Sequence, residues 1–225
     1  MLLASDHEEA CARVASLFHE RWLHHYVGSK LRTDYVFRAA DQLLGPSSLP
    51  LLDVGCGVGL LPLYLRARGR TQEIVALDID ERKVRRARQA AADGYDSIDF
   101  IEHDARKALP DFFGNVALLD VLHYLPRERQ TALLSEAAAR VAPGGLLLLR
   151  DCPRDGSARY WATYAGEIFA QTISWNIGAP LQFPTRESIY APFRAEEFTS
   201  EERPMWGNSP FNNRLWIFRR RTASG

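Results

Sequence analysis

The sequence is poor in cysteine, and its three cysteines, Cys11, Cys56 and Cys152, lie far apart. An odd number with no close pair argues against a disulfide framework and against a zinc site built on cysteines. A reducing compartment is the simplest setting, and a cytoplasmic location is expected. Neither sign of charge is in excess: Lys+Arg and Asp+Glu are both 28, so the formal net charge is zero. No overall field would gather nucleic acid or an anionic membrane. No apolar run approaches the roughly 20 residues that span a bilayer. The first seven residues, MLLASDH, lack the apolar core of a signal peptide. There is no G-x-S-x-G elbow, no G-x-x-x-x-G-K-[ST] phosphate loop, no internal repeat and no low-complexity tract. What is present is ordinary for a globular chain: 225 residues, 46% hydrophobic and 25% charged, enough for one α/β core and a single domain.

Apolar spacing predicts a helix within residues 8–27 and a second from Asp34 to Leu44, stopped by Gly45-Pro46. Strands follow at Leu51–Val54, Glu73–Leu77, Ser97–Glu102, Val116–Leu119 and Leu146–Leu149. Helices are predicted at Leu60–Arg68, at Glu81–Asp93 with Asp80 as N-cap, and at Arg127–Val141 after Pro126. This alternation implies a parallel sheet with right-handed crossovers. An aromatic helix at Tyr160–Trp175, another near Glu187–Phe193, and two final strands, Phe198–Met205 and Arg214–Arg219, complete the chain. The basic run at 82–86 reads as a solvated helix face, and the run at 219–221 as a chain end.

The most informative stretch is LLDVGCGVGLL, residues 51–61. A buried strand runs into a glycine turn and then a helix, whose free N–H groups and dipole favour a polar ligand. The spacing is G-x-G-x-G. The dinucleotide fingerprint would need a glycine at position 60, where Leu60 stands. The segment resembles motif I of the class I S-adenosylmethionine-dependent methyltransferases. That resemblance covers about residues 48–152 by motif and the remainder by topology. It implies an α/β, Rossmann-like seven-stranded methyltransferase sheet, mostly parallel, with an antiparallel C-terminal strand. It also implies N-terminal helices (1–46) covering the site, a cofactor-binding core (48–152), and substrate-side helices with a terminal hairpin (153–225).

The resemblance assigns a cofactor, S-adenosyl-L-methionine, and a set of residues. Asp53 would lie near the amino acid end of the cofactor, with Gly55, Cys56, Gly57 and Gly59 letting it pass close to the backbone. Asp78, with Ile79 beside it, ends the second strand, where a carboxylate can accept hydrogen bonds from both ribose hydroxyls. Asp104 after the third strand would take the adenine amino group, with Ala105 against the ring. Asp120-Val121-Leu122-His123-Tyr124 resembles motif IV, with Asp120 near the methyl-donating centre. His123 is the candidate base for a hydroxyl acceptor, since imidazole titrates near neutral pH; shaping of the cofactor pocket is the alternative. Gly114-Asn115 stands where the family usually starts the fourth strand with an aspartate, and Pro143-Gly144-Gly145 matches its turn before the fifth.

Arg150 and Asp151 end the fifth strand and could face the substrate. Tyr26, Tyr124 and Tyr164, with Trp22, Trp161 and Trp175, could line an apolar pocket, with core packing as the alternative for each. His19, His24 and His25 lack metal-ligand spacing, and no metal is expected. Sequences like the Asn-Pro-Pro-Tyr of base amino-methyltransferases are missing. The expected activity is methyl transfer to a small molecule, most simply at a hydroxyl. The segment Arg21–Asp34 is similar to the start of methyltransferases of aryl-polyene pigment synthesis. That likeness implies a phenolic or acyl acceptor, carrier-bound in one version, whose anionic part could meet Lys30 or Arg32. The alternatives are a non-catalytic scaffold with this fold, a nicotinamide oxidoreductase and an RNA methyltransferase.

Overall fold

The computed structural model describes residues 6–92, 94–172 and 181–222. The chain forms two compact units, Met1–Asp104 and Ala105–Gly225. Seven strands are present among the described residues.

In the first unit β1 (Leu51–Val54), β2 (Ile74–Asp78) and β3 (Ile98–Glu102) run parallel in the order β3-β2-β1. Leu51 is paired with Ile74, and Ile74 in turn with Ile98. Every residue of β1 is buried, as expected for a strand covered on both faces. Helix α4 (Leu60–Ala67) starts at Gly59, and Pro62 falls in its first turn, where a missing N–H leaves no hydrogen bond unmade. Helix α5 (Glu81–Ala92) starts after Asp80, whose carboxylate accepts from the Arg82 amide at 3.0 Å. The expected cap is therefore present. The last residue predicted for that helix, Asp93, lies outside the described residues. Arg66 is buried and donates to the carbonyls of Arg70, Gln72, Asp96 and Ser97, fastening α4 to the loops that enter β2 and β3.

The long N-terminal helical stretch is two helices, α1 (His7–Ser16) and α2 (Arg21–Thr33). The chain turns at 17–20, where the Leu17 and Phe18 amides bond back to Val14 and Ala15. Breaking there lets α2 fold back along α1 and buries Phe18. The buried face slips by one position across the break: Trp22, expected inside from the spacing, is exposed, and Leu23, Val27 and Leu31 are buried. Helix α3 (Val36–Leu44) ends at Gly45, and α1 and α3 both pack against α4. Their shared anchor is Tyr64, whose hydroxyl meets His7 Nδ1 at 2.8 Å while its ring packs edge-on against Phe37.

In the second unit the order is β4-β5-β7-β6. β4 (Asn115–Leu119) and β5 (Leu146–Asp151) are parallel; β7 (Arg214–Arg220) is antiparallel to β5, and β6 (Phe198–Pro204) antiparallel to β7. The expected terminal hairpin is thus present. The run at 219–221 is not a loose end: Arg219 and Arg220 close β7, and Arg220 donates to the Val141 carbonyl. Helix α6 (Arg127–Arg140) follows Pro126, which sits at the N-cap. Asn115 is fully buried, and its side-chain oxygen accepts from the Leu146 amide at 3.0 Å, tying β4 to the start of β5. Helix α7 (Ala158–Thr172) and the short α8 (Arg186–Tyr190) lie between β5 and β6. Trp175, from the aromatic segment, lies outside the described residues.

Candidate functional site

In the first unit the glycine turn is built against the end of β2. The Gly55 and Cys56 amides both donate to the Leu77 carbonyl, at 2.7 and 2.8 Å. The Gly57 amide donates to Asp78 Oδ2 at 2.8 Å, and the Asp80 amide to Asp78 Oδ1 at 2.9 Å. Asp78 therefore holds the turn in shape. Each carboxylate oxygen keeps a second acceptor site, so two hydroxyls could still be taken. The three glycines all have positive φ, +79° at Gly55, +58° at Gly57 and +81° at Gly59, but for different ends. A Cβ on Gly59 would stand 2.7 Å from the Phe100 ring and 3.1 Å from Ala87, so this glycine serves the packing of the helix start. A Cβ on Gly57 would meet nothing within 4 Å. Open space at a backbone with no side chain is what a closely approaching ligand needs.

Asp53, in β1, is 2% exposed, and its Oδ2 has no hydrogen-bond partner. Burial, and then the charge of Asp78, push its carboxyl up to about 7. An unpartnered buried carboxylate oxygen is costly unless a ligand completes it. Cys56 is buried with its thiol pushed well up, so it stays protonated and supplies shape only. Ile79 is exposed, an apolar side chain beside Asp78. Asp104 follows β3 and is half-buried.

In the second unit, Ala105 is fixed through its carbonyl, which accepts from Arg129 Nε at 2.8 Å. Asp120 directly follows β4, in the left-handed region at φ +61°. Its amide bonds to the Arg150 carbonyl, and its carboxylate takes the Arg150 guanidinium through both oxygens, Nε to Oδ1 at 2.9 Å. Arg150 is 2% exposed. It therefore neutralises Asp120 from inside instead of facing a substrate. Asp151 is fully buried. Its Oδ1 meets His123 Nδ1 at 2.9 Å and accepts from the Cys152 amide.

His123 and Tyr124 occupy a single 3-10 turn, Leu122–Tyr124. Gln130 holds this turn by donating to the carbonyls of Leu122 and Leu125, and the Gln182 amide donates to the His123 carbonyl. His123 is 3% exposed, and its ring stacks on Phe183 at 5.1 Å. Burial by itself would lower the imidazole pKa. The charge and hydrogen bond of Asp151 outweigh it, with Glu167 and Asp120 adding to the field, and the pKa rises to about 9. Tyr124 donates its hydroxyl to Glu167 Oε2 at 2.5 Å, and burial with that carboxylate pushes its own ionisation far up. Tyr164 packs with Tyr160, Phe183 and Cys152. Tyr26 is half-buried on α2, in the first unit. Sequence reasoning missed Glu167, a single acid on an amphipathic helix with no motif around it. Lys30 pairs with Asp34 at 2.9 Å on its own helix. Among the described residues no group of three or more His, Cys, Asp or Glu could hold a metal ion.

A family model described as a methyltransferase domain matches residues 51–145. That stretch, the glycine turn and the strands around it, is what the chain shares with methyltransferase domains. It is 25% identical over 146 residues to the ubiquinone biosynthesis O-methyltransferase of Dechloromonas aromatica, covering 64% of this chain and 60% of that protein. It is 34% identical over 114 residues to ribosomal RNA small subunit methyltransferase C of Chromohalobacter salexigens, covering 46% of this chain and 32% of that one. The chain thus spans less than two thirds of the length of either relative. Among solved structures, magnesium protoporphyrin IX methyltransferase from Synechocystis, with bound S-adenosylhomocysteine, aligns with a TM-score of 0.62 at 20% identity. That alignment covers 92% of this chain and 93% of the other, and establishes the Rossmann-like methyltransferase fold. S-adenosylmethionine is the cofactor that the match to a methyltransferase domain implies. The residues present fit it, on two observations: the orphaned oxygen of buried Asp53 and the open space at Gly57.

Proposed function

We propose that this protein transfers the methyl group of S-adenosylmethionine to a hydroxyl of a small molecule. The observation that carries the reading is the glycine turn, open at Gly57, pinned by Asp78 and flanked by the unsatisfied Asp53. Asp53 would receive the amino acid end of the cofactor, Asp78 the ribose with Ile79 against the base, and Asp104 the adenine amino group with Ala105 beside the ring. The glycines Gly55, Gly57 and Gly59, with Cys56, shape that cradle. When bound, the cofactor supplies a methyl group on a sulfonium, which needs an aligned acceptor more than it needs activation. The acceptor-side candidates His123, Tyr124 and Tyr164 lie in the second unit.

Zero net charge favours a small molecule over a ribosomal RNA substrate. Likeness to an O-methyltransferase of ubiquinone biosynthesis supports a phenolic hydroxyl, and a carrier-bound phenol or acyl chain falls in the same class. Among the described residues no helix is long and apolar enough to cross a membrane.

Calorimetric titration with S-adenosylhomocysteine tests this, with NADH in parallel. Micromolar binding of the first alone is the expected result. Binding of NADH alone would overturn the reading. Cofactor binding with no turnover on phenols, acids or amines would favour a scaffold subunit.

A further inference from the structure

The candidate base, His123, is poorly placed to take a proton. Its Nδ1 is committed to Asp151, and its Nε2 is buried with no hydrogen-bond partner. The charged and titratable groups around it are Asp151 behind the ring, Glu167 Oε2 at 3.8 Å from Nε2, the Tyr124 ring at 4.2 Å, and Asp120, itself held by Arg150. With a pKa raised to about 9, the ring already carries its proton at neutral pH.

Glu167 has the opposite properties. Its side chain is 26% exposed. One oxygen, Oε2, is tethered by the Tyr124 hydroxyl at 2.5 Å, which leaves Oε1 to accept from another donor. One turn earlier on the same face of α7 stands Tyr164, half-buried, with Trp161 exposed beside it and their rings 6.0 Å apart. An aromatic acceptor lying on these rings would bring its hydroxyl toward Glu167. We propose that Glu167 takes the proton of the acceptor's hydroxyl, and that His123, held by Asp151, stands beside it as a fixed imidazolium instead of acting as the base. This rests on the hydroxyl-methylating reading above. The acceptor oxygen bonds to the methyl carbon as the C–S bond breaks, sulfur keeps that electron pair, and the hydroxyl proton passes to Glu167 Oε1 and then to water. His123 stays protonated throughout and offsets the charge of Asp151.

The experiment uses 4-nitrocatechol, a phenol whose ionised form is coloured, added to the full-length protein saturated with S-adenosylhomocysteine. Its ionisation is followed by absorbance across pH. A carboxylate beside the bound hydroxyl favours the protonated phenol. The wild type should therefore raise the pKa of the bound probe by about one unit or more relative to free probe. Glu167→Gln should abolish that rise and bring the value to or below that of free probe, because the imidazolium then dominates. Glu167→Asp should keep the rise in part, which excludes a folding defect as the cause. Equal shifts in wild type and Glu167→Gln would overturn the proposal while leaving the hydroxyl reading intact. Failure of the probe to bind protein that does bind S-adenosylhomocysteine would overturn the hydroxyl reading, and the proposal with it. If the probe is methylated, Glu167→Gln should lower kcat by on the order of 100-fold or more with little change in KM.

Discussion

Gly57 and Gly59 are two residues apart, share positive φ, and should nevertheless fail in opposite ways when given a methyl group. At Gly59 an alanine Cβ would stand 2.7 and 2.9 Å from two atoms of the Phe100 ring and 3.1 Å from Ala87. Phe100 is buried in β3 and cannot swing aside without disturbing its neighbours. Overpacking of this kind costs about 1–3 kcal/mol, and the left-handed backbone about 1–2 kcal/mol more. The stiffer unfolded chain returns about 0.4–1 kcal/mol. Gly59→Ala should therefore lose about 3 kcal/mol, which for a chain of this size lowers Tm by roughly 6–12 °C. At Gly57 the same methyl meets nothing within 4 Å, so only the backbone cost of about 1–2 kcal/mol applies. If that open space belongs to the cofactor, Gly57→Ala should weaken S-adenosylhomocysteine by about tenfold or more, about 1.4 kcal/mol. Urea melts and calorimetry on both variants separate the effects. Equal loss of stability in the two, or wild-type affinity in Gly57→Ala, would refute this division of labour.

Asp78→Ala should weaken S-adenosylhomocysteine by on the order of 1.5–3 kcal/mol, and calorimetry at unchanged affinity would remove the ribose assignment. The His123 ring should titrate in NMR near pH 9, and Asp151→Asn should bring it down. Because its folded pKa lies above its unfolded value, its stabilisation is full below about pH 6.5 and is lost as pH rises through about 9. Denaturation midpoints measured from pH 6 to 10 check that loss, which amounts to roughly 3 kcal/mol. Asp53 has the same sign, its contribution falling as pH rises from about 4 through about 7. Asp53→Asn should flatten that part of the profile. Arg150→Ala leaves Asp120 without its partner in a largely buried pair and should destabilise by about 3 kcal/mol in urea.

Much of the fold was legible because its signals are local. Continuous apolar runs marked the strands, and Asp80, Pro126 and the glycines marked the helix starts and turns. What was missed depends on partners distant in sequence. The turn at 17–20 exists so that α2 can fold back on α1. Arg150 and Asp151 read as outward-facing because they end a strand, yet each side chain turns inward to a partner some 30 positions earlier, Asp120 and His123. Asp78 was legible as a ligand candidate, but not as the acceptor that holds the Gly57 amide. Glu167 carries no motif at all and stands out only once Tyr124 and His123 are placed beside it.

The outermost strand of the second unit has a consequence for self-association. β6 reads FTSEERP, mostly exposed, with Glu202 engaged by Arg186 and Arg214, and Glu201 by Arg203. Its last residue, Pro204, has no N–H to offer a further strand. A polar, charge-laced border of this kind is a poor template for recruiting other chains. Replacing Thr199, Glu201 and Arg203 by valine would turn the same border into a sticky one, and the protein should then precipitate at concentrations where the native sequence stays clear.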